Sequence, residues 1–314
     1  MVRIGIIGTE VPAHLHVTVL SANNTYEIVG CYAPESRESM LFARKYRLVS
    51  YSSLDALFRY SDVIDIASDF PNIMSLAEKS LKALKHVYIA HPHRLTLDEM
   101  QYLSKLAYES GKTVQLGVRH NYCSVYESIA ELNKTPQTVE IMHQLPQSTE
   151  DFCMQVKSEL PYDLTFVLGI LSANITKIDI HTWSKPEVHS DLLQCRLQCD
   201  NGSMVHLNMQ TYAAGNPKLE VMFYYPDMEL KADVFQSVIE KHYYEYDVVD
   251  SMVFDPYNER NICKQDLINF GKVACGDHAA ISLIEQQLQC FAAADAIIER
   301  MQQTRTISAP SPIR

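Results

Sequence analysis

Five short runs rich in valine and isoleucine alternate with helix-period segments through the first 119 residues. That alternation restricts this part of the chain to a parallel sheet with helices on its faces, because each strand must be followed by a crossover before the next. The spacing predicts strands near 2–7, 26–32, 63–67, 86–89 and 113–118. Helices are expected over 12–22, 36–46, 53–59, 72–84 and 96–110, the last opened by Thr96 with Glu99 three residues on, the pattern of a capping box. Beyond residue 120 the pattern changes. A helix-compatible stretch at 158–171 precedes alternating runs at 175–184, 190–199, 203–213 and 218–233, which argue a mainly antiparallel sheet. A helix over 279–302 and a tail containing Ala309-Pro310-Ser311-Pro312 close the chain. The expected fold class is α/β: a doubly wound parallel sheet over 1–120, then an α+β domain over 121–314 with a large, mainly antiparallel sheet.

A length of 314 residues suits two such domains. The net charge of -11, with no run of Lys or Arg, argues against nucleic acid or an anionic membrane surface as partner. No apolar run reaches the roughly 18 residues of a membrane span. Eight scattered cysteines, and a first strand starting directly after Met1, make a reducing cytoplasm the expected location. Cys195 and Cys199 have the nearest approach to a metal-ligand spacing, but on a strand they lie about 13 Å apart, too far for one ion. No metal site is expected.

The segment Ile4-Gly5-Ile6-Ile7-Gly8-Thr9-Glu10-Val11-Pro12-Ala13 stands where a strand, turn and helix would receive a dinucleotide pyrophosphate. Gly8 fits the first glycine of that fingerprint and Ala13 its third small position, while Glu10 replaces the glycine that lets backbone approach the phosphates. A carboxylate about 5 Å from a phosphate charge costs on the order of 3 kcal/mol, roughly a hundredfold in affinity. No acid follows the second strand to bind a ribose, since Gly30-Cys31-Tyr32-Ala33-Pro34 lacks one. Arg37 is a candidate for a 2′-phosphate and equally an ordinary solvated residue. Binding of NAD or NADP is expected to be weak.

Pro71-Asn72 after the third strand, the run Ser80-Leu81-Lys82-Ala83-Leu84-Lys85-His86-Val87-Tyr88-Ile89-Ala90-His91-Pro92, and Gly117-Val118-Arg119 after the fifth strand carry a more specific likeness. In order and spacing they resemble the glucose-fructose oxidoreductase, inositol dehydrogenase and MocA family. The resemblance implies a Rossmann-like, nicotinamide-binding first domain contacted through Gly8, Thr9, Glu10, Ala13, Arg37, Pro71, Asn72 and Pro92. It also implies a second domain whose sheet serves a small-molecule substrate, a sugar or cyclitol, and a homo-oligomer interface. Two of the family's chemical groups are missing. Ala90-His91-Pro92 stands in place of Glu-Lys-Pro, and Asp163-Leu164-Thr165-Phe166-Val167 in place of Asp-x-Gly-x-His. His91, Tyr162 and Asp163 are the site candidates that remain: His91 as an acid or base or a packed imidazole, Tyr162 as a donor, and Asp163 as the family aspartate or a helix cap. Two readings follow, a sugar or polyol oxidoreductase and a noncatalytic relative kept for binding or assembly. His14 and His16 read as packing or surface residues. Tyr224, Tyr225, Tyr243, Tyr244 and Tyr246 read as a sheet or interface surface.

Overall fold

The computed structural model describes residues 1–118, 120–148, 150–185, 190–211, 216–276 and 283–307; Arg119 of the Gly117-Val118-Arg119 motif and the proline-containing tail lie outside them. Strands β1 (Val2–Ile7), β2 (Tyr26–Tyr32), β3 (Val63–Ile66), β4 (His86–Ile89) and β5 (Val114–Leu116) form one sheet in the order β2-β1-β3-β4-β5. Each adjacent pair in it is parallel. The central strands read as continuous apolar runs because both faces are covered, and β3 is buried at every position. The crossovers are α1 (Val11–Ser21), α2 (Ser36–Tyr46), α3 (Leu54–Tyr60), α4 (Ile73–Lys82) and α5 (Leu97–Ser110). Thr96 and Glu99 close the expected capping box on α5. The strand order reverses between β1 and β3, the place where chain segments leaving the carboxyl ends diverge and a ligand crevice forms.

After α6 (Ser124–Ala130) and around α7 (Phe152–Leu171), eight strands form the second sheet: β6 (Thr138–Leu145), β7 (Ile175–Lys185), β8 (Ser190–Cys199), β9 (Met204–Thr211), β10 (Lys218–Tyr224), β11 (Met228–Asp233), β12 (Val238–Tyr243) and β13 (Val248–Val253). Their order is β13-β12-β11-β10-β6-β9-β8-β7, antiparallel except where β6 pairs with β9. Two features differ from the sequence expectation. The run 218–233 is not one strand: Pro226 cannot donate to a ladder, and the chain turns there, Tyr225 N donating to Met228 O at 2.8 Å. The helix expected at 158–171 begins earlier, at Phe152, where the Asp151 carboxylate accepts from Cys153 N at 3.0 Å. Asp163 is therefore mid-helix and buried, not a helix-start cap.

The chain divides into two units, Met1–Arg119 with Asn258–Leu288, and His120–Tyr257 with Gln289–Arg314. The expected single boundary at 120 thus misses a return of the chain to the first unit. Helix α8 (Glu259–Ala274) accounts for it, burying Leu267 and Phe270 in the core formed with Ile4, Ile6, Leu20 and Val63. Tyr26 Oη also donates to Leu267 O at 2.5 Å. The last helix, α9, spans Ile284–Ile307.

Helix α8 also places Asp266 inside the first unit. Tyr88 Oη donates to its Oδ2 at 2.6 Å and Gln115 Nε2 to its Oδ1 at 2.6 Å. Burial nevertheless dominates those two donors and the nearby His16, and pushes the Asp266 carboxyl up to about 7. A carboxyl with a raised folded-state pKa stabilises most below its unfolded value and loses that contribution as pH rises towards about 7. Asp266→Asn removes this titration. Its stability relative to the unaltered chain should improve by about 3 kcal/mol between pH 5 and pH 8. Denaturant unfolding at both pH values checks this, and parallel stability curves for the two proteins would refute it.

Candidate functional site

In the first unit the loops leaving β1, β3 and β4 carry the candidate groups. Gly8 has φ of 130°, and a Cβ there would meet Ala67 O and Ser68 Cβ at 2.8 Å, so the turn admits only glycine. Glu10 is the N-cap residue of α1, but its side chain makes no cap bond; Oε2 instead accepts from Ser68 Oγ at 2.7 Å and Asp69 N at 3.1 Å. Arg94 donates through Nε to Asp69 Oδ1 at 2.5 Å and through Nη2 to Oδ2. The Arg94 bond is the main reason the Asp69 carboxyl stays below the usual range, against the opposing effect of burial. His91 precedes a short 3-10 turn, Pro92–Arg94, and its ring meets His93 edge-on with centroids 5.6 Å apart. Asp69, His91 and His93 each offer a ligand atom within 4.8 Å of the others, a grouping that the sequence reading did not anticipate.

In the second unit a buried cluster surrounds Asp163. Along β6, Val139, Ile141, His143 and Leu145 alternate into the core, so His143 occupies an otherwise apolar position. Its partner is on α7: His143 Nδ1 lies 2.7 Å from Asp163 Oδ2. His120 Nε2 lies 3.9 Å from Asp163 Oδ1, and Tyr257 Oη is 3.3 Å from His120 Nδ1. Phe235 packs edge-on against His143, and the Tyr162 ring lies edge-on to His120 with centroids 6.2 Å apart. Burial works against a charged His143, but the Asp163 charge and hydrogen bond, with a contribution from Glu159, prevail and raise its pKa. Asp163 is thus the group that favours the charged form of His143 against the cost of its burial.

The sequence candidates therefore fall into separate groups. Gly8, Thr9 and Glu10 lie in the β1–α1 turn, Ala13 is buried in α1, and His91 and Pro92 follow β4. Arg37 is exposed on α2, and Pro71 and Asn72 are exposed ahead of α4, where Asn72 makes no side-chain cap bond. Tyr162 and Asp163 are wholly buried in α7. Sequence reasoning missed His120, His143, Tyr257, Asp69 and His93. Only His143 carried a local signal, an imidazole in the inward register of an alternating strand.

A nicotinamide dinucleotide suits the strand, glycine turn and helix at Gly8, while the Glu10 charge stands against the pyrophosphate. These features define the first unit as a Rossmann-type dinucleotide-binding domain, joined in sequence to an open-sheet domain with a buried acid–base cluster. Residues 2–118 match the oxidoreductase family with an NAD-binding Rossmann fold, GFO_IDH_MocA. The glucose-6-phosphate 3-dehydrogenase of Bacillus subtilis (strain 168) is 29% identical over 135 residues, which span 42% of this chain and 38% of that protein. The chain thus matches well under half the length of this curated relative. Across nearly the whole chain the fold is that of UDP-N-acetylglucosamine 3-dehydrogenase GnnA from Acidithiobacillus ferrooxidans, with a TM-score of 0.85, 16% identity and 96% and 98% of the two chains covered. Biliverdin reductase from Synechocystis sp. PCC 6803, solved with biliverdin and NADP+, shares it at a TM-score of 0.77 and 17% identity, covering 95% and 98%.

Removing the Asp163 charge should leave His143 buried without its counterion. Asp163→Asn is expected to lower the His143 pKa and to cost about 3 to 5 kcal/mol at pH 6. A raised histidine pKa contributes stability below the unfolded value near about 6.5 that is lost as pH rises through the folded value. The cost of the substitution should accordingly shrink at high pH. Histidine NMR titration with unfolding at pH 6 and pH 9 tests this, and an unmoved His143 resonance would contradict it.

Proposed function

We propose that the protein is an NAD(P)-dependent oxidoreductase acting on a secondary hydroxyl of a sugar, cyclitol or related polyol. The observation that carries the reading is the His143–Asp163–His120 cluster, which supplies imidazoles to a helix that has none of its own. The family match supports the cofactor, and two similar proteins named as dehydrogenases of hexose derivatives support the substrate class. In this reading Gly8, Thr9 and Ala13 hold the dinucleotide at the α1 N-terminus, with Arg37, Pro71, Asn72 and Pro92 along its path. A nicotinamide dinucleotide held by these residues would supply hydride-transfer chemistry. His120, whose Nε2 lies 3.9 Å from Asp163 Oδ1, is the candidate proton acceptor in this reading. Asp163 and Tyr257 orient His120, and Tyr162 flanks it.

Glu10 makes the cofactor weakly held, and together with the lost lysine it favours a second reading, a noncatalytic relative used for binding or assembly. One set of measurements separates them: nicotinamide fluorescence titration with NAD(H) and NADP(H), and turnover on a panel of sugars and cyclitols. Glu10→Gly should tighten the dinucleotide by up to about a hundredfold. His120→Ala should lower turnover by about a hundredfold to ten-thousandfold while leaving dinucleotide affinity unchanged. Absence of binding and turnover, even in Glu10→Gly, would eliminate the oxidoreductase reading and leave the noncatalytic one.

The same proposal includes a homo-oligomer formed through the second sheet, in a cytoplasmic protein. Its edge hairpin supports this, with Tyr246 70%, Val249 62% and Val253 75% exposed around a terminal strand. None of the eight cysteines is in a disulfide, which supports a reducing compartment. Among the described residues, no helix is long and apolar enough to cross a membrane. Sedimentation at micromolar concentration should give a species heavier than 35.8 kDa that Val249→Lys with Val253→Lys disperses. A purely monomeric profile would exclude the assembly.

A further inference from the structure

We infer that Asp69, His91 and His93 form a binding site for one divalent transition-metal ion of the zinc class. The parallel pairing of β3 and β4 sets Ile66 opposite Ile89, and Ala90 N extends the ladder by donating to Ile66 O at 3.1 Å. The segments leaving the two strands therefore start side by side. One delivers Asp69 and the other His91 and His93, the histidines separated by Pro92, which opens the 3-10 turn. One ligand atom from each residue lies within 4.8 Å of the other two. A triangle of that side has its centre about 2.8 Å from each corner, so shifts of under about 1 Å reach the roughly 2.0–2.2 Å of zinc–nitrogen and zinc–oxygen bonds.

The donor set decides the class of ion. Two imidazoles and one carboxylate suit zinc, cobalt or nickel, whereas calcium and magnesium favour sites built of oxygen. Arg94 does not block the site, because its two hydrogen bonds use only part of the carboxylate's acceptor capacity and orient the remainder. Its charge is offset as well: Glu10, which accepts from Asp69 N, brings a second carboxylate to the same loops. The surrounding charges of Glu10, Asp69 and Arg94 then sum to one negative, which favours a cation. Three protein ligands leave a coordination position open for an oxygen ligand, water or a hydroxyl group, as in catalytic zinc sites. Metal binding stands apart from the dehydrogenase reading, since it needs neither dinucleotide nor alcohol.

The test uses the full chain stripped with a chelator and titrated with Co2+, then with Zn2+. One Co2+ per chain is expected, with the visible absorption of a low-coordinate ion, displaced by one equivalent of Zn2+. In the unaltered protein Co2+ should broaden the imidazole resonances of His91 and His93. His91→Ala and His93→Ala should each weaken binding by more than about tenfold. Cys275→Ser and His242→Ala, which alter an exposed thiol and an imidazole beside Glu229 and Asp247, should leave it intact. Failure to bind either ion saturably at one per chain would overturn the inference. So would Co2+ broadening that spares His91 and His93, or full binding retained in both histidine variants.

Discussion

Four backbone hydrogen bonds at the carboxyl edge of the parallel sheet fix where every group of the first unit's candidate site begins. Gly8 N donates to Tyr32 O, Ala67 N to Ile7 O, Ala90 N to Ile66 O and Gly117 N to Ile89 O, all at 2.9 to 3.1 Å. Each continues a ladder one residue past its strand, so neighbouring loops leave the sheet from a common level. Side chains two to four residues further on meet without any long connection to hold them. Glu10 reaches Ser68 and Asp69 this way, and Asp69 reaches Arg94. Apolar burial on both faces keeps the edge rigid: Ile4, Ile6, Ile64, Ile66, Val87 and Ile89 are all fully buried.

Charge is buried in both units, and each case is governed by its partner. His16 and Asp65 lie 2.8 Å apart inside the first unit, and His143 and Asp163 lie 2.7 Å apart inside the second. An unpaired charge at either place would cost several kcal/mol, whereas a close opposite charge with a hydrogen bond recovers most of that penalty. Asp266 has donors but no contacting cation, and so it alone is pushed up to about 7. A strand that carries an imidazole among Val139, Ile141 and Leu145 is explicable only through the acid on the helix above it.

These arrangements bear differently on chemistry. In the first unit, Asp69, His91 and His93 offer ligand atoms within 4.8 Å of one another, beside the Arg94 that pairs with Asp69. In the second unit the helix bearing Asp163 has no histidine, yet imidazoles from β6 and from the turn at His120–Tyr122 reach the same carboxylate. Groups distant in sequence thus reach one carboxylate in space, which is why a motif read along the chain undercounts them.

Periodicity by itself determined the parallel sheet, its five strands and their crossover helices, because side-chain burial on two faces leaves a continuous apolar signature that needs no distant partner. It likewise determined most of the antiparallel strands and the Gly8 turn. It did not determine where 218–233 breaks, since one proline outweighed the alternation, nor that 259–274 returns to the first unit, since Leu267 and Phe270 find their partners more than two hundred residues away. The candidate sites were legible as single residues only. Asp69 with His91 and His93, and Asp163 with His120 and His143, are separated along the chain by up to 43 residues. Only the register of β3 on β4, and the packing of α7 on β6, decided that they meet, because tertiary contact depends on the folded positions of both partners and leaves no pattern in the local sequence of either.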